Sequence, residues 1–531
     1  MNAIQRSRKE LRDYQKNAVE YMEKYNSLLL YHKMGTGKTL TSVTVSQAYL
    51  DRYPTHRVIV VSPATLLDNF KKEMYTSYVN IRHKDRYEFY SIQKLTNLLK
   101  EGLVDCTYSL VIIDEVHNYR TLVKEQKNKI VSGIHVHYMK SFLMNAHKVL
   151  LLSGTPVYNS IRDLENIRTF MKTDDLRSKI SYHSYEKDDI NFPLRIDRPA
   201  FIEMSPTYRN QYNRIVQEIY ENPDTARYMS LQIFNTDDPR RLQKFATAIR
   251  RATQNLESDV KHNKKLEYVL NLVEQVKEKN RNKSREDKYK LLIYSNYKRH
   301  GIELVKNLVP LGIRFDTISG DTDMKKRHEL VSLYNQGEIE LLFLTKAAGE
   351  GLDLKGTDMI VIMEPNWNEN GIEQVIARAI RFQSHIHREP KRRKVRVVQV
   401  YHIKPEDTNP EYMRRMANEM ETLKNNDIYS NSFCINGNEN SIDEVMRVYS
   451  QKKQIILKKT EKILNEQSIE RNPWPIQQIE STTVSQTMVR LNKPKPPTVK
   501  KEQERKKREY KKVSERKRLE LFRKKLKKRI K

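Results

Sequence analysis

Short unbroken apolar runs recur along this chain, each accompanied by an amphipathic helical stretch, and few folds accommodate that rhythm. Ser27-Leu28-Leu29-Leu30-Tyr31, Val58-Ile59-Val60-Val61, Leu110-Val111-Ile112-Ile113 and Val149-Leu150-Leu151-Leu152 form a first series. Runs of this length without polar alternation read as strands covered on both faces, the pattern of a parallel sheet wrapped by helices. The series resumes at Leu291-Leu292-Ile293-Tyr294, Leu341-Leu342-Phe343-Leu344, Met359-Ile360-Val361-Ile362-Met363 and Val395-Arg396-Val397-Val398-Gln399-Val400. The expected fold is therefore α/β, with two tandem parallel-sheet lobes at 1–185 and 263–410. Between them, 186–262 is polar and reads as a helical connector without strand runs. Beyond them come a helical extension at 411–488 and a basic tail at 489–531. The extension's main helix is expected to start at Ser441-Ile442-Asp443-Glu444, a capping-box pattern, with Val445, Tyr449, Ile456 and Ile463 recurring at helical spacing.

At 531 residues the chain is long enough for two substantial cores. Its formal net charge of +31 favours a polyanionic partner. No apolar stretch approaches the roughly 20 residues of a bilayer crossing, and MNAIQRSRKELRDYQ lacks a signal peptide's apolar centre, so a soluble intracellular protein is expected, with no membrane partner. Two cysteines, Cys106 and Cys434, exclude a disulfide framework and a cysteine-rich zinc site. The tail from 489 to 531 holds 21 Lys/Arg against 5 Asp/Glu, a net +16. It reads as a nucleic-acid anchor, a dock for an acidic partner, or a solvated extension.

Only 14 glycines are present, and two of them fall in His32-Lys33-Met34-Gly35-Thr36-Gly37-Lys38-Thr39, between a strand run and a helical one. That context suits a phosphate-binding loop. Met34, Gly35, Thr36 and Gly37 would offer backbone N–H groups to the phosphates of ATP at a helix N-terminus. Lys38 would supply a cation to the β and γ oxygens, and Thr39 a hydroxyl to Mg²⁺. His32 stands where the generic motif has its first glycine. About 75 residues after the loop, a strand run ends in Asp114-Glu115-Val116-His117, which places two carboxylates at the carboxyl edge of a sheet. Asp114 is assigned to Mg²⁺ through water and Glu115 to orienting and deprotonating the attacking water.

With these motifs in order, the sequence resembles the superfamily 2 helicases and translocases of DExH-box type, which implies two RecA-like lobes hydrolysing ATP in the cleft between them. Leu11-Arg12-Asp13-Tyr14-Gln15 resembles their adenine-reading segment, with Gln15 as base contact. Ser62-Pro63-Ala64-Thr65 and Thr345-Lys346-Ala347-Ala348-Gly349-Glu350-Gly351-Leu352-Asp353 resemble motifs that imply nucleic-acid contacts at Thr65 and Thr345 and a ribose contact at Asp353. Ser153-Gly154-Thr155-Pro156 resembles the motif coupling hydrolysis to lobe movement, so Ser153, Thr155, Gln374 and His117 are coupling candidates; a hydrogen-bonded surface histidine is the alternative for His117. Gln374-Val375-Ile376-Ala377-Arg378-Ala379-Ile380-Arg381 resembles the arginine-finger helix, with Arg378 and Arg381 on one face, aimed at the γ-phosphate.

Glu364-Pro365-Asn366-Trp367-Asn368 resembles the chromatin-remodeller-like branch. There Gly-Gln follows the second arginine, where this chain has Gln383-Ser384. Residues 378–385 and 441–444 resemble the nucleoside triphosphatase I and early-transcription-factor ATPases of large cytoplasmic DNA viruses. This resemblance implies DNA or RNA as partner, a viral RNA polymerase or transcription complex as a further one, and a location in cytoplasmic viral factories or the virion. The leading expectation is an ATP-dependent nucleic-acid helicase or translocase in viral transcription. The alternative is a non-catalytic nucleic-acid-binding transcription-factor subunit.

Overall fold

The computed structural model describes residues 2–33, 35–77, 81–121, 123–126, 129–157, 163–184, 191–221, 249–250, 253, 261–345, 352–366, 369–425 and 440–472. Met34, residues 346–351, Trp367 and Asn368, most of 222–260 and the tail at 489–531 lie outside them.

The four runs of the first series become β1 (Ser27–His32), β2 (Arg57–Ser62), β4 (Ser109–Ile113) and β7 (Lys148–Ser153), joined by β3 (Tyr87–Ser91) and β8 (Ile180–His183), with a small antiparallel hairpin, β5 (Lys124–Gln126) and β6 (Lys129–Ser132), set apart. The six form one parallel sheet in the order β3-β2-β4-β7-β1-β8. Alternate residues of one strand feed opposite cores: Leu29 and Tyr31 enter one cluster, Leu28 and Leu30 the other. Burial on both faces is why no polar alternation appears in the sequence.

The second lobe repeats the plan with β11 (Leu291–Ser295), β12 (Phe315–Ile318), β13 (Leu341–Thr345), β14 (Met359–Ile362) and β15 (Lys394–Ile403). Leu292 and Tyr294 face one core, Leu291 and Ile293 the other. The expectation of a strand-free connector at 186–262 is overturned. Leu194–Asp197 forms β9 and Ala200–Glu203 forms β10, both parallel to β15 along a single edge. Each is four residues long, and Leu194 and Phe201 are exposed, so neither carries the signal of a buried run. A Pro206–Glu221 helix follows them.

Two helices, Pro410–Asn425 and Ile442–Glu466, build the extension. Ser441 caps the second, its hydroxyl oxygen accepting from Glu444 N at 3.2 Å. The reciprocal leg of the expected capping box is absent: Ser441 N donates to Asp407 Oδ1, and Glu444 pairs with Arg447. The buried stripe also drifts from the expected one. Leu457 and Leu464 are buried, while Ile463 is exposed, because the helix passes from the core that holds Val445 and Tyr449 to the core of lobe 1 and turns a neighbouring face to it. Among the described residues no helix is long and apolar enough to cross a membrane.

Candidate active site between the two lobes

The loop leaving β1 turns into the Lys38–Arg52 helix at the carboxyl ends of the strands. Gly35 and Gly37 both hold left-handed φ angles, +81° and +87°. A Cβ on Gly37 would fall 2.6 Å from Gln15 Nε2, so a side chain there is strained by the backbone and would displace the Gln15 amide. Gln15 is turned onto the loop: Nε2 lies 3.4 Å from the Gly37 carbonyl, and Oε1 accepts from Arg12 N at 2.9 Å. Tyr14 OH donates to Thr36 O at 2.6 Å, and its ring stacks on His183 with centroids 3.6 Å apart. Lys38 Nζ donates to His32 O at 3.0 Å, and Thr39 is half-buried beside it.

Asp114 and Glu115 follow β4, between β2 and β7. Asp114 Oδ2 accepts from Ser62 Oγ at 3.3 Å and Oδ1 from Glu115 N at 3.0 Å. Glu115 takes the left-handed region, φ +49°, which swings the second carboxylate out of the strand direction. Its Oε2 lies 3.3 Å from His117 Nδ1, which is 3.2 Å from Ser153 Oγ. That hydroxyl oxygen also accepts from Thr155 N at 3.0 Å. Buried His117 and Ser153 and half-buried Thr155 thus form one chain behind the carboxylates. Burial, reinforced by the neighbouring Glu115 charge, pushes Asp114 above the usual carboxylate range. Burial acts the same way on Glu115, but the bond and charge of His117, then Lys38 and Arg378, outweigh it and hold Glu115 low. Burial lowers the Lys38 ammonium against the pull of Glu115 and Asp114, with Arg381 and Arg378 adding to the lowering.

Lobe 2 supplies the facing wall. Gln374, half-buried, and Arg378, buried, lie on the Glu369–Ala379 helix. Arg381 sits just past its end, where Ser384 Oγ accepts from Arg381 N at 3.2 Å and donates to Ala379 O at 3.0 Å. Arg381 Cα and Cγ come within 3.5 and 3.6 Å of the Cβ position of Gly35, so the arginine turn rests on the phosphate loop. Asp353 is half-buried and acts on the Arg381 charge. Arg12 lies over the Phe382 ring at 4.8 Å, a second contact across the crevice. The Gln383-Ser384 departure also has a physical account: Gln383 holds a left-handed φ of +58°, the conformation a glycine takes freely. Gln383 thus takes a glycine-like backbone without being glycine.

Thr65 is half-buried beyond β2, and Thr345 closes β13, one on each lobe at carboxyl strand ends. Of the expected site residues, Met34 lies outside the described ones. Sequence reasoning missed Tyr14 and His183 as a pair, although Tyr14 adjoins Gln15; nothing in the sequence links it to a residue so distant along the chain.

Two parallel-sheet lobes closing a phosphate loop and a carboxylate pair against two arginines define a superfamily 2 ATPase of the remodeller-like branch. Residues 14–285 match the SNF2-related domain and 264–383 the helicase conserved C-terminal domain. The chain belongs to the SNF2-related family. It is 27% identical over 430 residues to a "Putative ATP-dependent RNA helicase" of Acanthamoeba polyphaga mimivirus, covering 74% of this chain and 89% of that one. It is 23% identical over 432 residues to "Protein CHROMATIN REMODELING 5" of Arabidopsis thaliana, covering 70% of this chain and 25% of that one. A killer plasmid pGKL-2 helicase of Kluyveromyces lactis is 23% identical over 408 residues, 71% of this chain and 62% of its own.

Proposed function

We propose that this protein hydrolyses ATP to move along DNA or RNA, as a duplex translocase or strand-separating helicase, in viral transcription. One observation carries the reading: the Arg381 turn of lobe 2 packs on Gly35 of the lobe 1 phosphate loop, with Lys38, Glu115 and Arg378 in one mutual field. The residues suit a nucleotide. Two glycines leave the cradle open, Lys38 faces it, and Thr39 and Asp114 offer the hard oxygen donors that Mg²⁺ prefers. Bound Mg²⁺ would neutralise phosphate charge.

In this reading Gln15 and Asp353 orient the nucleoside, and Lys38 holds the phosphates. Glu115 takes the proton of the attacking water, while His117 keeps it ionised and aimed. Arg378 and Arg381 stabilise charge on the departing phosphoryl group, so turnover requires a closed crevice. His117, Ser153, Thr155 and Gln374 relay that closure, and Thr65 and Thr345 grip the nucleic-acid backbone from separate lobes. The mimivirus relative and the resemblance to viral ATPases support the transcription setting. The presence of Lys38, Asp114, Glu115, Arg378 and Arg381 argues against a non-catalytic subunit.

The test is ATP turnover with single-stranded and duplex DNA and RNA in parallel, alongside strand and triplex displacement. Stimulation by at least one polymer is expected. A chain that neither hydrolyses ATP nor responds to any of the four would refute the motor reading.

A further inference from the structure

We propose that the extension at 442–470 is part of the ATP site itself, with Glu470 and Glu461 acting as positioning residues for the start of the phosphate loop. The proposal rests on the ATPase reading above and deepens it.

The Ile442–Glu466 helix runs from one catalytic half to the other. Near its beginning, Asp443 is held by Arg250 of the connector at 2.9 Å and by the His402 N–H of lobe 2 at 2.9 Å. Two turns on, Ser450 Oγ donates to Glu369 Oε2 at 2.9 Å, at the first residue of the helix that leads to Arg378. Further along, Leu457 and Leu464 enter the core of lobe 1. Those leucines dock the helix on lobe 1, and the polar contacts that follow reach beyond them to the strand that leads into the phosphate loop.

Those contacts converge on the ends of β1 and β8. Glu461 Oε1 lies 2.7 Å from Lys33 Nζ and accepts from Tyr182 OH at 2.8 Å. Glu470 Oε2 accepts from Tyr182 N at 2.9 Å, and its Oε1 accepts from Ser181 Oγ at 2.6 Å. Ser181 has one hydroxyl proton, and Glu470 takes it. Its oxygen is therefore the acceptor for His32 Nε2–H, 2.8 Å away, which fixes the tautomer of a fully buried imidazole. The backbone carbonyl of the same His32 holds Lys38 Nζ. A continuous path thus runs from Glu470 through Ser181 and His32 to the phosphate-binding lysine.

This path explains why the motif departs from the generic one at its first position. A glycine at 32 would have no side chain to receive the extension, whereas histidine turns the loop's first residue into a fixed point. Lys33, the next residue, is fixed by Glu461.

The test uses the full chain and three variants, Glu470→Ala, Ser181→Ala and both together, with KM for ATP, kcat and equilibrium binding of a fluorescent ADP analogue measured for each. Each single change should weaken nucleotide binding and raise KM about fivefold to tenfold, while kcat stays within about twofold, because a loosened loop loses ground-state and transition-state contacts alike. The double variant should lose no more than the worse single one, since both changes cut one path. Glu421→Ala, exposed on the preceding Pro410–Asn425 helix, should leave KM unchanged. Folded variants with unaltered binding and KM, or losses that multiply in the double variant, would overturn the proposal. Absent turnover in the wild type would instead refute the motor reading, and the binding measurement would still decide this one.

Discussion

Asp443 fastens the start of the C-terminal helix, and replacing it with alanine should visibly weaken the second lobe. Its carboxylate is 8% exposed and sits 2.9 Å from Arg250 and 3.5 Å from Lys265, which are themselves 9% and 4% exposed. Asp443→Ala leaves both cations buried without their nearest counter-charge, a loss that costs about 3–5 kcal/mol in buried pairs. Glu364, also buried, lies in the field of both cations and remains, which puts the expected loss at the lower end, about 3 kcal/mol. With a urea dependence of about 2 kcal/mol per molar, the unfolding midpoint should fall by about 1.5 M. Far-ultraviolet circular dichroism across a urea series would measure it. A midpoint within about 0.3 M of the wild type would show that the cluster is solvated and that the reasoning from burial fails.

Glu115→Gln should keep nucleotide affinity and lose ATP turnover by about a hundredfold or more, because only the water-activating carboxylate is removed; normal turnover would refute that role. Arg381→Ala should lower kcat more than it raises KM, and steady-state kinetics showing the reverse would contradict a transition-state role. Gln383→Gly should raise thermal stability by about 1 kcal/mol, since it relieves a left-handed backbone at φ +58°; a lower Tm would refute it. His385 is buried, donates through Nε2 to Thr357 O at 2.9 Å, and is lowered to about 4 first by burial and then by His387, Arg388 and Lys290. The unfolded chain takes up this proton first, so stability is full above about pH 6.5 and should fall by up to about 3 kcal/mol as pH drops to 4. His385→Gln should flatten that slope, and identical Tm-against-pH curves would exclude the assignment.

The sheets were legible because doubly covered strands concentrate their signal locally: Leu28-Leu29-Leu30 or Val58-Ile59-Val60-Val61 can hardly be anything else. The loop, the carboxylate pair and the arginines were legible as ordered motifs, each within a few residues. What stayed hidden depends on partners far along the chain. β9 and β10 are short and half-exposed and become strands only because β15 offers an edge about 200 residues later. His32 looked like a mere departure from a pattern until Ser181 and Glu470 were beside it. The shift from Ile463 to Leu464 reflects a change of packing partner along one helix, from the core of Val445 and Tyr449 to that of lobe 1, which spacing within the helix cannot reveal.

The shared edge of β15 also bears on how this protein is synthesised and dissected. Residues 194–203 emerge from the ribosome long before 394–403, so their hydrogen-bonding groups must wait, and closing that interval is slow compared with local helix formation. A fragment started at 263 would leave one flank of its outermost strand bare and prone to self-association. A stable, separately expressed C-terminal half should therefore begin near Asn191.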